Sequence, residues 1–468
     1  MNVDLALISH TNVGKTTLAR TLLRSDVGEV LDRAHVTEES EVFELIADGE
    51  DRLLLWDTPG FGDSARLLKR LKAENNPLGW FLHQVWDRFA DRPLWCSQQA
   101  TRTLQEEADV VLYLVNAAEP PEDAGYAKPE LELLSWIGLP VLILLNQRGD
   151  LAPTSPEARR LEETWSRHVE AWPVVRGVLS LDAFTRCWLE EGVLLRRVTE
   201  LLSGEAARVM GRLAAAWKAR NFKVFDGSLD IMGTYLAQAA AQRLALSGSR
   251  ASRSEKAQAM TRLGEQLETE TQQLMDTLIR QHGLEGRSTR ALVKAVDDYL
   301  VAGTTGLTME KGALLGGAVS GALGGLAADL MAGGLTFGGG LVAGAILGAL
   351  GGAGLSRAHE LVRLGSQPAI SWSPTFLVEL TRQTVLRYLA VAHFGRGRGE
   401  YEDREDPKHW QEAVASALET YRRDLERALK EAATEGGTGA EDLRWVLRRI
   451  LVQVLRQAYP QAAEALEA

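Results

Sequence analysis

Residues 9–17 read Ser9-His10-Thr11-Asn12-Val13-Gly14-Lys15-Thr16-Thr17, and 42 residues after Lys15 comes Asp57-Thr58-Pro59-Gly60. The short apolar run Leu5-Ala6-Leu7-Ile8 precedes the first segment, and Thr16 to Leu23 continues it with helical spacing. Strand, glycine-bearing loop and helix in that order are the setting that a phosphate-binding loop requires. Backbone N–H groups and a helix N-terminus then face the phosphates, Lys15 reaches the β and γ groups, and the Thr16 hydroxyl ligates Mg²⁺. The pattern opens on Gly, and here that position is Ser9; the second glycine, Gly14, is kept. A GKT triplet alone is a weak signal. Preceded by a strand and followed by a correctly spaced DTPG, it is a specific one. The bland alternative is a degenerate loop that binds nothing.

With 468 residues, 45% hydrophobic and 25% charged, the chain is globular and long enough for two or three domains. A formal charge of −11 argues against a general nucleic-acid coat, and no nucleic-acid partner is expected. Only Cys96 and Cys187 occur, so a disulfide framework is not expected and a reducing cytoplasm fits. The sequence enters its first strand directly, so a cleaved signal peptide is not expected.

The first half continues in α/β order. Glu41 to Ala47 and Arg52 to Trp56 flank the turn Asp48-Gly49-Glu50-Asp51, a hairpin that delivers Asp57 at a strand end. Val110 to Val115 and Val141 to Leu145 are continuous apolar runs, the mark of strands buried on both faces. Helical stretches fall near 129–137 and 157–170, and Val174 to Leu181 reads as a last strand. The expectation is a mostly parallel sheet with helices on both faces, its ligand at the carboxyl ends of the strands.

This order resembles the Era-like branch of the translation-factor class of P-loop GTPases, over roughly residues 1–200. The resemblance rests on Asn12-Val13-Gly14-Lys15-Thr16, on Asp57-Thr58-Pro59-Gly60, and on Asn146 after the fifth strand. It implies that Asn12, Val13, Gly14, Lys15, Thr16 and Thr17 hold the phosphates of GTP. Thr16, Asp57 and Thr37 (in His35-Val36-Thr37-Glu38) then serve Mg²⁺, with Gly60 sensing the γ-phosphate. Lys15, Thr37 and Gly60 are the residues expected to support hydrolysis. Asn12 is also the position that holds K⁺ in potassium-stimulated relatives. Phe61 stands where some GTPases carry a water-orienting Gln, so slow intrinsic hydrolysis is expected, aided by K⁺, by a partner or by homodimerisation through this domain.

The base-reading stretch departs from the family's N-K-x-D: it is Asn146-Gln147-Arg148-Gly149-Asp150. Gln147 replaces the Lys that covers the base, and Gly149 stands where the guanine-reading Asp belongs. Asp150, one position late, substitutes only if the loop is bulged. GTP is favoured by the rest of the framework, and ATP stays open. The family's closing Ser-Ala loop is echoed by Ser180-Leu181-Asp182-Ala183.

Between Asp63 and Glu107 lies an insertion with Trp80, Phe81, Trp86, Phe89 and Trp95. It reads either as a reporter of nucleotide state or as a helix packing its aromatics onto the domain. Arg66, Arg70, Arg88 and Arg92 are all candidates for an arginine finger.

Residues 312–355 carry a single charge, Asp329. Small residues recur at four-residue spacing, Gly312/Gly316/Ser320/Gly324 and then Gly340/Gly344/Gly348/Gly352. That stripe suits two closely packed helices joined by a glycine-rich turn, with Lys311 and Arg357 at the outer ends. The first arm rises about 26 Å at 1.5 Å per residue, short of a hydrocarbon core of roughly 30 Å. One reading is a marginal hairpin inserted in the inner membrane, with lipid or a membrane protein as partner. The other is a buried Gly/Ala hairpin in a helical domain. On either side the chain reads as helical, over 204–246, 252–303, Phe376 to Phe394 and His409 onward. Phe376 to Phe394, with Arg382 and Arg387 on its polar side, fits a membrane surface or a core helix equally.

The expected organisation is an α/β P-loop GTPase domain at 1–205 with its insertion at 63–107, then an all-α region. That region divides into helices at 206–310, the hairpin at 311–356 and further helices at 357–468. Two functions fit: a GTPase switch coupled to a membrane-associated helical half, or a membrane-active scaffold whose nucleotide domain gates assembly with little turnover.

Overall fold

The computed structural model describes residues 1–11, 13–24, 40–62, 64–72, 91–147, 153–183, 185, 187–247, 252–284, 359–364, 367–394, 408–434 and 439–466. The chain divides into two units. The first is Met1–Phe222 with His393–Gly399 and Tyr459–Ala468; the second is Lys223–Ala392 with Glu400–Ala458.

The first unit is built on a six-stranded sheet of order β2-β3-β1-β4-β5-β6. Its strands are β1 (Asn2–Ser9), β2 (Glu41–Asp48), β3 (Asp51–Asp57), β4 (Val110–Asn116), β5 (Val141–Asn146) and β6 (Val175–Ser180). All neighbours pair in parallel except the β2–β3 hairpin at one edge. Alternation along β1 separates two cores, as a period of two requires. Val3, Leu5 and Leu7 pack with Leu18 and Leu22 of α1 (Lys15–Leu23) and with Leu194 and Val198 of α6 (Trp188–Leu201). Ala6 and Ile8 face the opposite core, with Leu104 of α3 (Arg92–Glu106), Leu131 of α4 (Ala127–Ile137) and Trp165 of α5 (Pro156–Val169). A shorter helix, α2 (Ser64–Leu71), packs Leu67 and Leu71 against Leu94 and Leu133. The mostly parallel sheet with helices on both faces is therefore as expected. Both cysteines are buried free thiols.

Helix α7 (Gly204–Ala241) belongs to the first unit up to Phe222. The second unit holds its remainder and α8 (Arg253–Gln281), α9 (Pro374–Ala392), α10 (Lys408–Thr420), α11 (Arg422–Ala432) and α12 (Gly439–Ala458). It is not all-α. Strands β7 (Arg243–Ala245), β8 (His359–Leu364) and β9 (Gln367–Trp372) form an antiparallel sheet of order β7-β9-β8. The expected helix over 204–246 thus ends at Ala241, and Leu244 pairs with Ile370. Ladder bonds to a distant segment override a helix-favouring composition there. Helix α9 is a core helix: Phe376, Leu380, Val385, Tyr388 and Leu389 are buried, and so is Arg387, which the sequence reading placed on a polar side. Among the described residues no helix is long and apolar enough to cross a membrane. The 312–355 hairpin lies outside the described residues.

Candidate functional site

The phosphate loop sits where β1 ends and α1 begins. Gly14 precedes α1 with φ +95°, a left-handed conformation that an L side chain adopts only with strain. A Cβ there would lie 2.9 Å from Asn146 Nδ2, so shape as well as backbone demands glycine. Lys15 is buried, and its Nζ donates to Ser9 Oγ at 3.2 Å. The Ser that departs from the loop pattern therefore closes β1 in extended backbone and supplies an acceptor for the loop lysine. Val13 and Thr17 are buried beside it.

Opposite the loop, β3 delivers Asp57, which pairs in register with Leu7 of β1. The Thr16 hydroxyl donates to Asp57 Oδ2 at 2.6 Å, while Asp57 Oδ1 is buried with no hydrogen-bond partner among the described residues. An orphaned carboxylate oxygen is costly unless a cation or water completes it. Two hard oxygen donors side by side match what Mg²⁺ takes from a protein when phosphates and waters fill its other positions. Burial pushes the Asp57 carboxyl up and the Lys15 ammonium down, each opposed by the charge of the other.

The segment after Asp57 is pinned to the loop. Thr58 Oγ1 donates to Leu7 O at 2.7 Å, and Phe61 N donates to Ser9 O at 2.9 Å. Gly60 lies so close that a Cβ would stand 3.1 Å from Lys15 Nζ and 3.3 Å from Thr11 Cα. Phe61 is fully buried in the sheet core, so it contributes packing rather than a polar group. Gly62 N donates to Ser97 Oγ at 3.1 Å.

Asn146 is buried and spends its side chain within the protein. Its Nδ2 donates to Val13 O at 2.7 Å, and its Oδ1 accepts from Ala183 N at 2.8 Å. It therefore clamps the phosphate loop to the Ser180–Ala183 loop, whose Ala183 O also accepts from Thr21 Oγ1 at 2.7 Å. Gln147 follows with φ +60°.

Structure and sequence thus bring together Val13, Gly14, Lys15, Thr16, Thr17, Asp57, Gly60, Asn146 and Gln147. Asn12, Thr37, Asp150, Arg88 and the aromatics 80–89 lie outside the described residues. Arg66 pairs with Asp91 at 3.1 Å on the surface. Sequence reasoning missed Ser97 and a buried carboxylate, Glu130, which bonds His10 Nδ1 at 2.7 Å. No local motif announces either, because each acts through tertiary contact.

Residues 4–147 match the family described as 50S ribosome-binding GTPase, and residues 175–449 match the Domain of unknown function (DUF3482). A curated relative, the chloroplastic GTPase ERA1 of Zea mays, is 26% identical over 157 residues, 34% of this chain and 32% of that protein. The chain thus spans about a third of the length of that relative. Among solved structures, an Era variant of Aquifex aeolicus bound to GDP and AlF4⁻ is 19% identical with TM-score 0.32, covering 43% of this chain and 58% of that one. Era in complex with MgGDPNP and a segment of 16S ribosomal RNA gives 18% identity, the same TM-score of 0.32 and the same coverage, 43% and 58%. Nucleotide-bound NFeoB from S. thermophilus gives 16% identity and TM-score 0.25, covering 50% and 71%. The chain belongs to the DUF3482 family, and ahead of the greater part of that region it carries an Era-like P-loop GTPase domain.

Proposed function

We propose that this chain is a GTP-binding and GTP-hydrolysing switch whose helical second half associates with a membrane through residues 312–355. The observation that carries the nucleotide reading is the 2.6 Å contact of Thr16 with Asp57, whose Oδ1 is buried without a hydrogen-bond partner among the described residues, near the buried Lys15. Loop N–H groups and Lys15 bind the phosphates, while Gly60, held against the loop, is placed to meet the third one. Thr16 and Asp57 would hold Mg²⁺, which when bound supplies positive charge to the phosphate oxygens. Thr37 would join it, Asn12 is the K⁺ position, and Asp150 with Gln147 would face the base. The clamp made by Asn146 holds phosphate and base loops in one register. The family match and the relatives' names support GTP over ATP.

Phe61 favours a second reading at the level of rate. A buried phenyl cannot orient water, so intrinsic turnover is slow, and a nucleotide-gated scaffold with little turnover follows if no partner, K⁺ or second copy speeds it. Membrane association is supported by the small-residue stripe alone.

Calorimetry on the full chain with Mg²⁺ tests the nucleotide reading. GTP binds, and Lys15→Ala abolishes binding. Tighter binding of ATP overturns the base assignment, and no binding of either overturns the function.

A further inference from the structure

Glu130 is fully buried on α4 and is not among the phosphate-facing residues named above. Its carboxylate takes bonds from three elements. His10 Nδ1, in the phosphate loop, lies 2.7 Å from Oε1, and the Tyr113 hydroxyl of β4 donates to Oε2 at 2.8 Å. The hydroxyl of Ser64, the first residue of α2, also hydrogen-bonds it. The His10 ring is held in addition by stacking on Tyr126, with centroids 4.6 Å apart and planes 13° from parallel.

A buried carboxylate is an expensive way to join helices, since apolar side chains of similar volume commonly do as well. What it supplies is directional bonding. The elements joined here are the loop that holds the phosphates and the helix that starts four residues after Gly60. We propose that Glu130 is a positioning residue that ties the phosphate loop to Ser64 at the start of α2, and so pre-orders Gly60–Gly62 for a third phosphate. This rests on the nucleotide reading above.

The physical reason is selective. A diphosphate is held by the loop alone, so the order of the Gly60 segment does not enter its affinity. A triphosphate must also engage that segment, and any fraction of molecules in which it is displaced weakens the apparent affinity in proportion. Pinning by Phe61 to Ser9 and by Gly62 to Ser97 fixes the near end of the segment. Glu130 fixes the far end.

The test measures affinity of the full chain for fluorescent GDP and for a non-hydrolysable GTP analogue, both with Mg²⁺. Ser64→Ala removes one arm without emptying the core, and Glu130→Gln keeps shape while weakening the hub. Ser64→Ala is expected to lower analogue affinity about fivefold or more with GDP affinity within about twofold, and Glu130→Gln, which also loosens His10 of the phosphate loop, to lower analogue affinity by a larger factor than GDP affinity. The double variant is expected to be no worse than the weaker-binding single, and Ser64→Thr, which keeps the hydroxyl, to restore discrimination. Should Glu130→Gln not fold, the Ser64 pair decides. Parallel loss of both affinities, additive losses, or no change in either overturns the proposal and leaves the function standing. A wild-type chain that binds neither nucleotide overturns the function itself.

Discussion

Gly14 is the residue with least freedom at the site. Its φ of +95° and the Asn146 amide 2.9 Å from its absent Cβ act together. Gly14→Ala combines a left-handed strain of about 1–2 kcal/mol with displacement of that amide. The expected outcome is a lower first thermal transition and loss of nucleotide binding, read by thermal shift with and without Mg²⁺-GTP. Asn146→Ala acts differently, leaving Val13 O and Ala183 N buried without their partner. At about 1–3 kcal/mol for each orphaned group, it should destabilise the first unit and weaken GTP and ATP alike. A weakening confined to GTP would instead make Asn146 a reader of the base. Asp51 gives the pH response. The Arg212 guanidinium, bonded to it at 2.6 Å, holds its carboxyl below the usual value of 3.8. The pair thus stabilises the folded chain fully above that pH, and the contribution is lost as pH falls through the lower folded value. Arg212→Ala should therefore reduce stability at pH 7 and flatten the acid limb of a denaturation series.

Elements show why some readings held and others failed. Strands β4 and β5 were legible because short continuous apolar runs, six residues at Val110–Val115 and five at Val141–Leu145, mark strands covered on both faces. The second unit's sheet was missed although a signal was present. Leu364 and Gln367 pair across the two-residue step Gly365-Ser366, and Gly-Ser between alternating runs is a hairpin signature. The surrounding helical composition outweighed it. Helix α9 turns out to be the core helix of its two readings, and the polar side expected for Arg387 is absent: that side chain is buried, as are Phe376, Leu380 and Tyr388. Close packing of α11 on α12 belongs to this scale too. A Cβ on Gly439 would lie 2.3 Å from Ala432 Cα, against backbone that cannot rotate away. Gly439→Ala should force the helices apart at a cost of about 1–3 kcal/mol, seen as a lower transition in urea with GTP affinity preserved.

For the whole molecule, the two matched families divide the labour. The first matches the Era-like P-loop GTPase domain, and the DUF3482 region carries helices, a small sheet and the glycine-rich stretch. If the stretch is a membrane hairpin, deleting 312–355 abolishes liposome cosedimentation and leaves GTP affinity within about twofold, because no residue of the site lies in it. Retained cosedimentation would move the membrane contact elsewhere.

By itself the sequence determined the loop between β1 and α1, the pairing of Thr16 with Asp57 and the parallel sheet. These are local: spacing along the chain places Lys15, Thr16 and Asp57, and a period of two or a continuous apolar run declares each strand. Only tertiary structure decided what Asn146 bonds, that Ser9 accepts from Lys15, and that Glu130 gathers His10, Tyr113 and Ser64 from three elements. Hydrogen bonds such as Asn146 to Val13 and Thr21 to Ala183, between residues 133 and 162 positions apart, leave no periodic trace, since they depend on where the packed core carries each backbone rather than on neighbours in the chain.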